Sequence, residues 1–162
     1  MAMAMKLPIL SLKPSNIRAY AADSGVDIHV PKGTKAYAAM SGRIIYSEYG
    51  HTPWGTVWNR GVDTPGCILI QFDEPFMYKD KAYFYMWYAH MDYLVYKVRD
   101  GIDTPIHVSQ GIWLGKTGTG NKVDHLHFGI LSRRGQQDGD FIEPLELQRY
   151  LKGLLKKGGE QK

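Results

Sequence analysis

The sequence predicts a mainly β protein, a small antiparallel β-sandwich or open barrel closed by one C-terminal helix. Three observations predict it. Between about residues 25 and 133, short runs rich in β-branched and aromatic residues alternate with glycine- and proline-containing turns. Those runs follow one another as strands do in a meander, not as alternating strands and helices of a parallel sheet. Only residues 143–157 place apolar side chains at largely helical spacing.

The strand-like runs, in order, are VDIHV (26–30), KAYAAM (35–40), GRIIYSEY (42–49), CILIQFD (67–73), AYFYMWYAHM (82–91), GIWLGKT (111–117) and HLHFGILS (125–132). The punctuation is PKG, SG, TPG, DG, SQG and TGTG, all read as turns. PKGTKAYAAMSGRI (31–44) and VSQGIWLGKTGTG (108–120) echo each other as a loose internal hairpin repeat. Residues 50–66 are rich in turn formers and read as a long loop, with Trp54 and Trp58 as loop anchors or stacking platforms. In EPLELQRYLKGLLKK, Leu145, Leu147, Tyr150, Leu151, Leu154 and Leu155 mark a helix that the glycine pair 158–159 is expected to stop. The expected organisation is an N-terminal arm (1–20), one domain (21–157) and a polar tail (158–162).

Composition narrows the function classes. The chain has 162 residues, enough for one ordinary domain, with 44% hydrophobic and 22% charged residues. No apolar run reaches the ~18 residues that cross a bilayer, so membrane insertion is not expected. The start, MAMAMKLPILSLKP, is a poor secretory signal. Export at lysis or on a phage particle is the corresponding expectation. The single cysteine, Cys67, cannot form an internal disulfide and sits in an apolar run, as a buried thiol does. The net charge of +4 suits an anionic partner. The lysines are scattered, and Lys152, Lys156 and Lys157 fit the solvated end of a helix, so nucleic acid is not expected; cell-wall polymers are an equally natural anionic partner.

Four residues carry the chemistry. In DHLHF, His125 and His127 are two apart in a strand and leave one face of the sheet. Adjacent imidazoles repel when protonated, which a shared metal would justify; two surface histidines are the plainer reading. In SGVDIHVP, Val26 and Ile28 point to the core and leave Asp27 and His29 on the other face. A carboxylate there requires a partner or a cation, unless it caps a turn. His90 ends an aromatic strand, MWYAHMDYL, where a polar group is conspicuous but is also at home as a satisfied edge residue.

Taken together, SGVDIHVPKGTKAYAAMSGRI, YMWYAHMDYL, VSQGIWLGKTGTGNKVDHLHFGI and IEPLELQRYL resemble, in the same order, the motifs of lysostaphin and LytM-type zinc metallopeptidases, over about residues 23–151. The resemblance implies an antiparallel β domain with a groove walled by loops, and a substrate in the peptide stems or cross-bridges of bacterial peptidoglycan. It implies that Asp27 and His127 bind Zn2+, and that His125 and His90 act on the water and the transition state. The family's first motif reads HxxxD. Here it is DxxxD, so Asp23 takes the first ligand position. Aspartate is shorter than histidine, so the backbone must come closer or the metal must shift. Two carboxylates also offset the ion's charge, which weakens its pull on a water proton and admits a harder ion such as Mn2+. His29 is a substitute donor. The alternative is a non-catalytic relative that binds wall or serves as an activator or phage-tail part; Asp23 favours it, while His90 and His125 speak against it.

Overall fold

The structure, a computed structural model, describes residues 4–20, 23–52, 65–135, 137 and 139–160. Trp54 and Trp58 lie outside them. Among the described residues there are nine strands and one α-helix: β1 (Ile17–Ala19), β2 (Val26–Ile28), β3 (Lys35–Tyr37), β4 (Gly42–Tyr49), β5 (Gly66–Tyr78), β6 (Lys81–Leu94), β7 (Ile106–Val108), β8 (Trp113–Gly120), β9 (Val123–Leu131) and α1 (Pro144–Glu160). The mainly antiparallel β fold with a C-terminal helix is therefore present. The sheet runs β1-β2-β9-β8-β6-β5-β4-β7, with β3 beside β8 and β9 also paired to β6.

Alternation along β9 divides the molecule into two faces. Leu126, Phe128 and Ile130 enter the main core with Val26, Ile28, Met86, Tyr88, Leu147 and Leu151. The opposite face carries His125, His127, Gly129 and Leu131. Leu131 joins a smaller cluster with Tyr46, Cys67, Leu69, Trp87 and Ala89. The N-terminal residues pack against β3 and the chain that follows it: Met5 and Ile9 are buried, Lys6 N–H donates to Ala39 O, and Tyr37 N–H donates to Pro8 O. No helix among the described residues is long and apolar enough to cross a membrane.

Four expectations need correction. Helix α1 continues through the glycine pair to Glu160; glycine weakens a helix interior by only ~1 kcal/mol and does not forbid it. The TGTG segment belongs to β8, not to a turn. His90 does not end its strand, because β6 runs on to Leu94. The run CILIQFD extends to Tyr78 through Pro75, accommodated by a register shift between Gln71 and Phe76. The two echoing segments meet: β3 pairs antiparallel with β8, with Lys35 opposite Lys116.

Candidate metal centre

Three neighbouring strands bring the chemistry-bearing residues together. Asp27 on β2 is in register with His127 on β9, and His127 with Ala89 on β6. Asp27 and His127 thus share one face by pairing alone, as the alternation of both sequences requires. His125 follows on the same face, two residues earlier.

The distances define a compact group. His127 Nδ1 stands 3.3 Å from Asp27 Oδ1, and His127 Nε2 stands 3.9 Å from Asp23 Oδ1. His125 Nε2 is 3.7 Å from Asp27 Oδ1. Among the described residues, ligand atoms of Asp23, Asp27 and His127 lie within 4.8 Å of one another and form the group able to hold a cation. Their chemistry fits zinc. Two bonds of ~2.1 Å at a tetrahedral angle place ligand atoms ~3.4 Å apart, close to the His127–Asp27 separation. His29 falls outside this group; its ring lies 5.8 Å from that of His125, and its Nε2 faces the Tyr20 hydroxyl at 3.3 Å.

The tautomer of His125 is fixed by its neighbour. Its Nδ1–H donates to Val123 O at 2.8 Å. A carbonyl only accepts, so Nδ1 carries the proton and Nε2 is left to face Asp27 with its lone pair when the ring is neutral. Burial alone would raise the Asp27 carboxyl. The hydrogen bond with His127 and the nearby imidazoles of His125, His127 and His29 outweigh burial and hold it below its ordinary value.

His90 reaches the group through a backbone irregularity. Strand parity would send it into the core with Met86 and Tyr88. However, Gly66 pairs with Met91 while Ile68 pairs with Tyr88, so β6 carries one residue more than β5 between these pairs. His90 has φ 63°, the left-handed conformation. It is the re-aimed residue of a β-bulge, a device found beside active sites. At the same point β6 changes partner, from His127 of β9 at Ala89 to Thr117 of β8 at Met91. The His90 ring comes 4.9 Å from that of His125 and 6.1 Å from that of His127. Burial, with help from both other imidazoles, pushes it down to about 4 against the pull of Asp27. It is neutral at neutral pH.

Glycines make this possible. A Cβ at Gly118 would lie 2.6 Å from the His90 carbonyl oxygen, and one at Gly120 2.6 Å from the His90 ring Cγ. The glycines of TGTG are spacers for a histidine. Ser24 was also not singled out by sequence reasoning, and its hydroxyl stands 3.3 Å from His127 Nε2. A serine beside a turn has many ordinary roles, and no local signal marks this one. A pocket of about 180 Å³ opens beside His90, lined by Lys32, Asp92 and Thr119 among others. A larger cavity, about 850 Å³ between the N-terminal segment and α1, is lined mostly by apolar residues and lysines, with Ser11 and Tyr37, and by no carboxylate or imidazole among the described residues.

Comparisons with known proteins give the family and the fold. The family model described as Peptidase family M23 matches residues 21–140. A comparison with curated proteins returned no match. Among solved structures, the catalytic domain of the antimicrobial peptidase lysostaphin from Staphylococcus simulans is similar at 18% identity and a TM-score of 0.53, over 84% of this chain and 95% of that one. A longer lysostaphin structure from the same organism matches at 18% identity and a TM-score of 0.57, over 93% of this chain and 55% of that one. A protein described as a peptidase M23 from Pseudomonas aeruginosa matches at 19% identity and a TM-score of 0.50, over 80% of this chain. This chain spans 45% of the length of that protein.

Proposed function

Because the chain belongs to peptidase family M23, we propose that it is a zinc-dependent endopeptidase acting at the bacterial cell envelope on peptide stems or cross-bridges of peptidoglycan. One observation carries the reading: Asp27 and His127 face each other in register at 3.3 Å, with Asp23 beside them and the imidazoles of His125 and His90 turned to the same place.

In this reading Asp23, Asp27 and His127 hold the ion. Zinc with three protein ligands and an open fourth position supplies Lewis acidity and lowers the pKa of a water towards ~7. His125 is the general base. Its Nε2 lone pair faces the site, and the Val123 carbonyl keeps the ring in that orientation. His90, neutral in its buried niche, donates to the developing oxyanion, and the bulge holds it where an ordinary strand would not. A neutral donor suits this role, since a second cation would compete with the ion for Asp27. The pocket beside His90 takes a neighbouring residue of the substrate.

The test is hydrolysis of purified peptidoglycan, followed by release of new amino groups. Chelator should abolish it and zinc, or Mn2+ if the two carboxylates favour a harder ion, should restore it. Protein that takes up no divalent ion at micromolar zinc would overturn the reading in favour of a non-catalytic wall-binding relative.

A further inference from the structure

We infer that Trp87 and Gly129 are positioning residues that bring the backbone of Asp23 low enough for its short side chain to serve as a ligand. This rests on the assignment of Asp23 to the metal centre.

The need is geometric. A carboxylate on one methylene reaches less far than an imidazole, so its backbone must lie close to the site. Here it does. The carbonyl of Ser24 lies against Gly129 of β9, where a Cβ would stand 2.7 Å from that oxygen. Gly25 presses on the Phe128 carbonyl, and a Cβ there would collide with it. The turn is further tightened by Asp23 itself, whose Oδ1 accepts the Ser24 N–H at 2.8 Å. Residue 129 shares the face of His125 and His127, so a side chain on it would rise directly into the Asp23–Gly25 turn. Glycine leaves that space open to backbone.

Trp87 fills what remains. It pairs in register with Gly129, is 0% exposed, and packs its ring 6.0 Å from that of His127. Among the described residues, its Nε1 is the buried side-chain nitrogen or oxygen without a hydrogen-bond partner. An unpaired buried donor is costly and calls for an explanation. A Cβ on Gly129 would collide with that Nε1 as well as crowd the Ser24 carbonyl. The indole N–H and the carbonyl therefore converge on the same point above Gly129. In the proposed arrangement the indole N–H donates a hydrogen bond to the Ser24 carbonyl. The indole then holds from below the segment that carries Asp23, and braces His127 on its other side. Groups that orient a ligand in this way are commonly worth 10- to 100-fold in metal affinity.

The experiment is a cycle of zinc affinities, measured by chelator competition on folded full-length protein, with Gly129→Ala made in the presence of Asp23 and of Asp23→His. Gly129→Ala should weaken zinc binding by about 10- to 100-fold when Asp23 is the ligand. With the longer imidazole at 23 the lifted turn still reaches the ion, and the same change should cost less than about 3-fold. No loss in the first arm, or equal losses in both, overturns the inference, because equal losses mean a general packing defect. Should Gly129→Ala not fold, Trp87→Phe decides: it keeps one aromatic ring and removes the N–H with the pyrrole part of the indole, and zinc affinity unchanged from the parent overturns the proposal. A parent protein that binds no zinc at all sinks the assignment of the metal centre instead.

Discussion

Gly120 stands against the His90 imidazole so closely that a Cβ would lie 2.6 Å from the ring Cγ and 2.7 Å from Nδ1. The ring is a stiff neighbour already held in a bulge, so it cannot yield without leaving the site. Gly120→Ala should therefore displace His90 and lower kcat by ~10²-fold, the usual consequence of moving a reacting group by about an ångström. Zinc content should not change, since His90 is not among the ligands. Wild-type kcat in Gly120→Ala would show that the position of His90 does not matter to the rate.

The two histidines of HLHF should separate cleanly. His127→Ala removes the nitrogen 3.3 Å from Asp27, and the purified variant should lose its bound ion. His125→Ala removes a base and leaves Asp23, Asp27 and His127 intact, so the ion should stay while hydrolysis falls by ~10²–10⁴-fold. Metal analysis beside a peptidoglycan assay reads both outcomes. Loss of metal from His125→Ala and retention by His127→Ala would exchange their roles. Metal binding should also protect the fold, raising stability by ~2.7 kcal/mol at a free ion concentration 100 times Kd.

Much of this is legible in the sequence alone. The strand runs, the shared face of His125 and His127 and the outward turn of Asp27 follow from period-2 alternation, which is local. What stayed hidden depends on pairing between distant strands. Nothing near MWYAHM says that β6 takes an extra residue opposite Cys67, yet that bulge alone turns His90 from the core to the site. TGTG has the composition of a turn, and only the His90 ring across the sheet reveals why a strand carries those glycines. Trp87 and Ser24 are silent for the same reason, since their meaning comes from β9. Helix α1 outlasts its glycine pair because propensity is a weak force beside the rest of the helix.

Cys67 should be inert. Burial pushes its thiol up to about 12, despite a compensating hydrogen bond with the His90 backbone. At neutral pH it is protonated and 3% exposed. A thiolate is the reactive form, so thiol reagents should leave native protein unmodified and active, and should react fully once it is unfolded in urea. Rapid labelling of native protein with loss of activity would show that the thiol is accessible and takes part in the reaction.

The depressed His90 should appear as acid sensitivity of the metal-free protein. Its folded pKa, about 4, lies below the ordinary 6.5. Between these values the unfolded chain binds a proton that the folded chain refuses, so unfolding free energy rises with pH across the window. The contribution is fully present above the unfolded value and is lost as pH falls from about 6.5 towards 4. At roughly 1.4 kcal/mol per pH unit it amounts to about 3 kcal/mol at most. Urea unfolding in chelator at pH 7.5, 6.0 and 5.0 measures it. His90→Asn, which cannot titrate in this range, should flatten the dependence. Parallel curves for parent and variant would mean that His90 takes up its proton as readily in the folded protein as in the unfolded one, and the neutral donor assigned to the oxyanion would lose its basis.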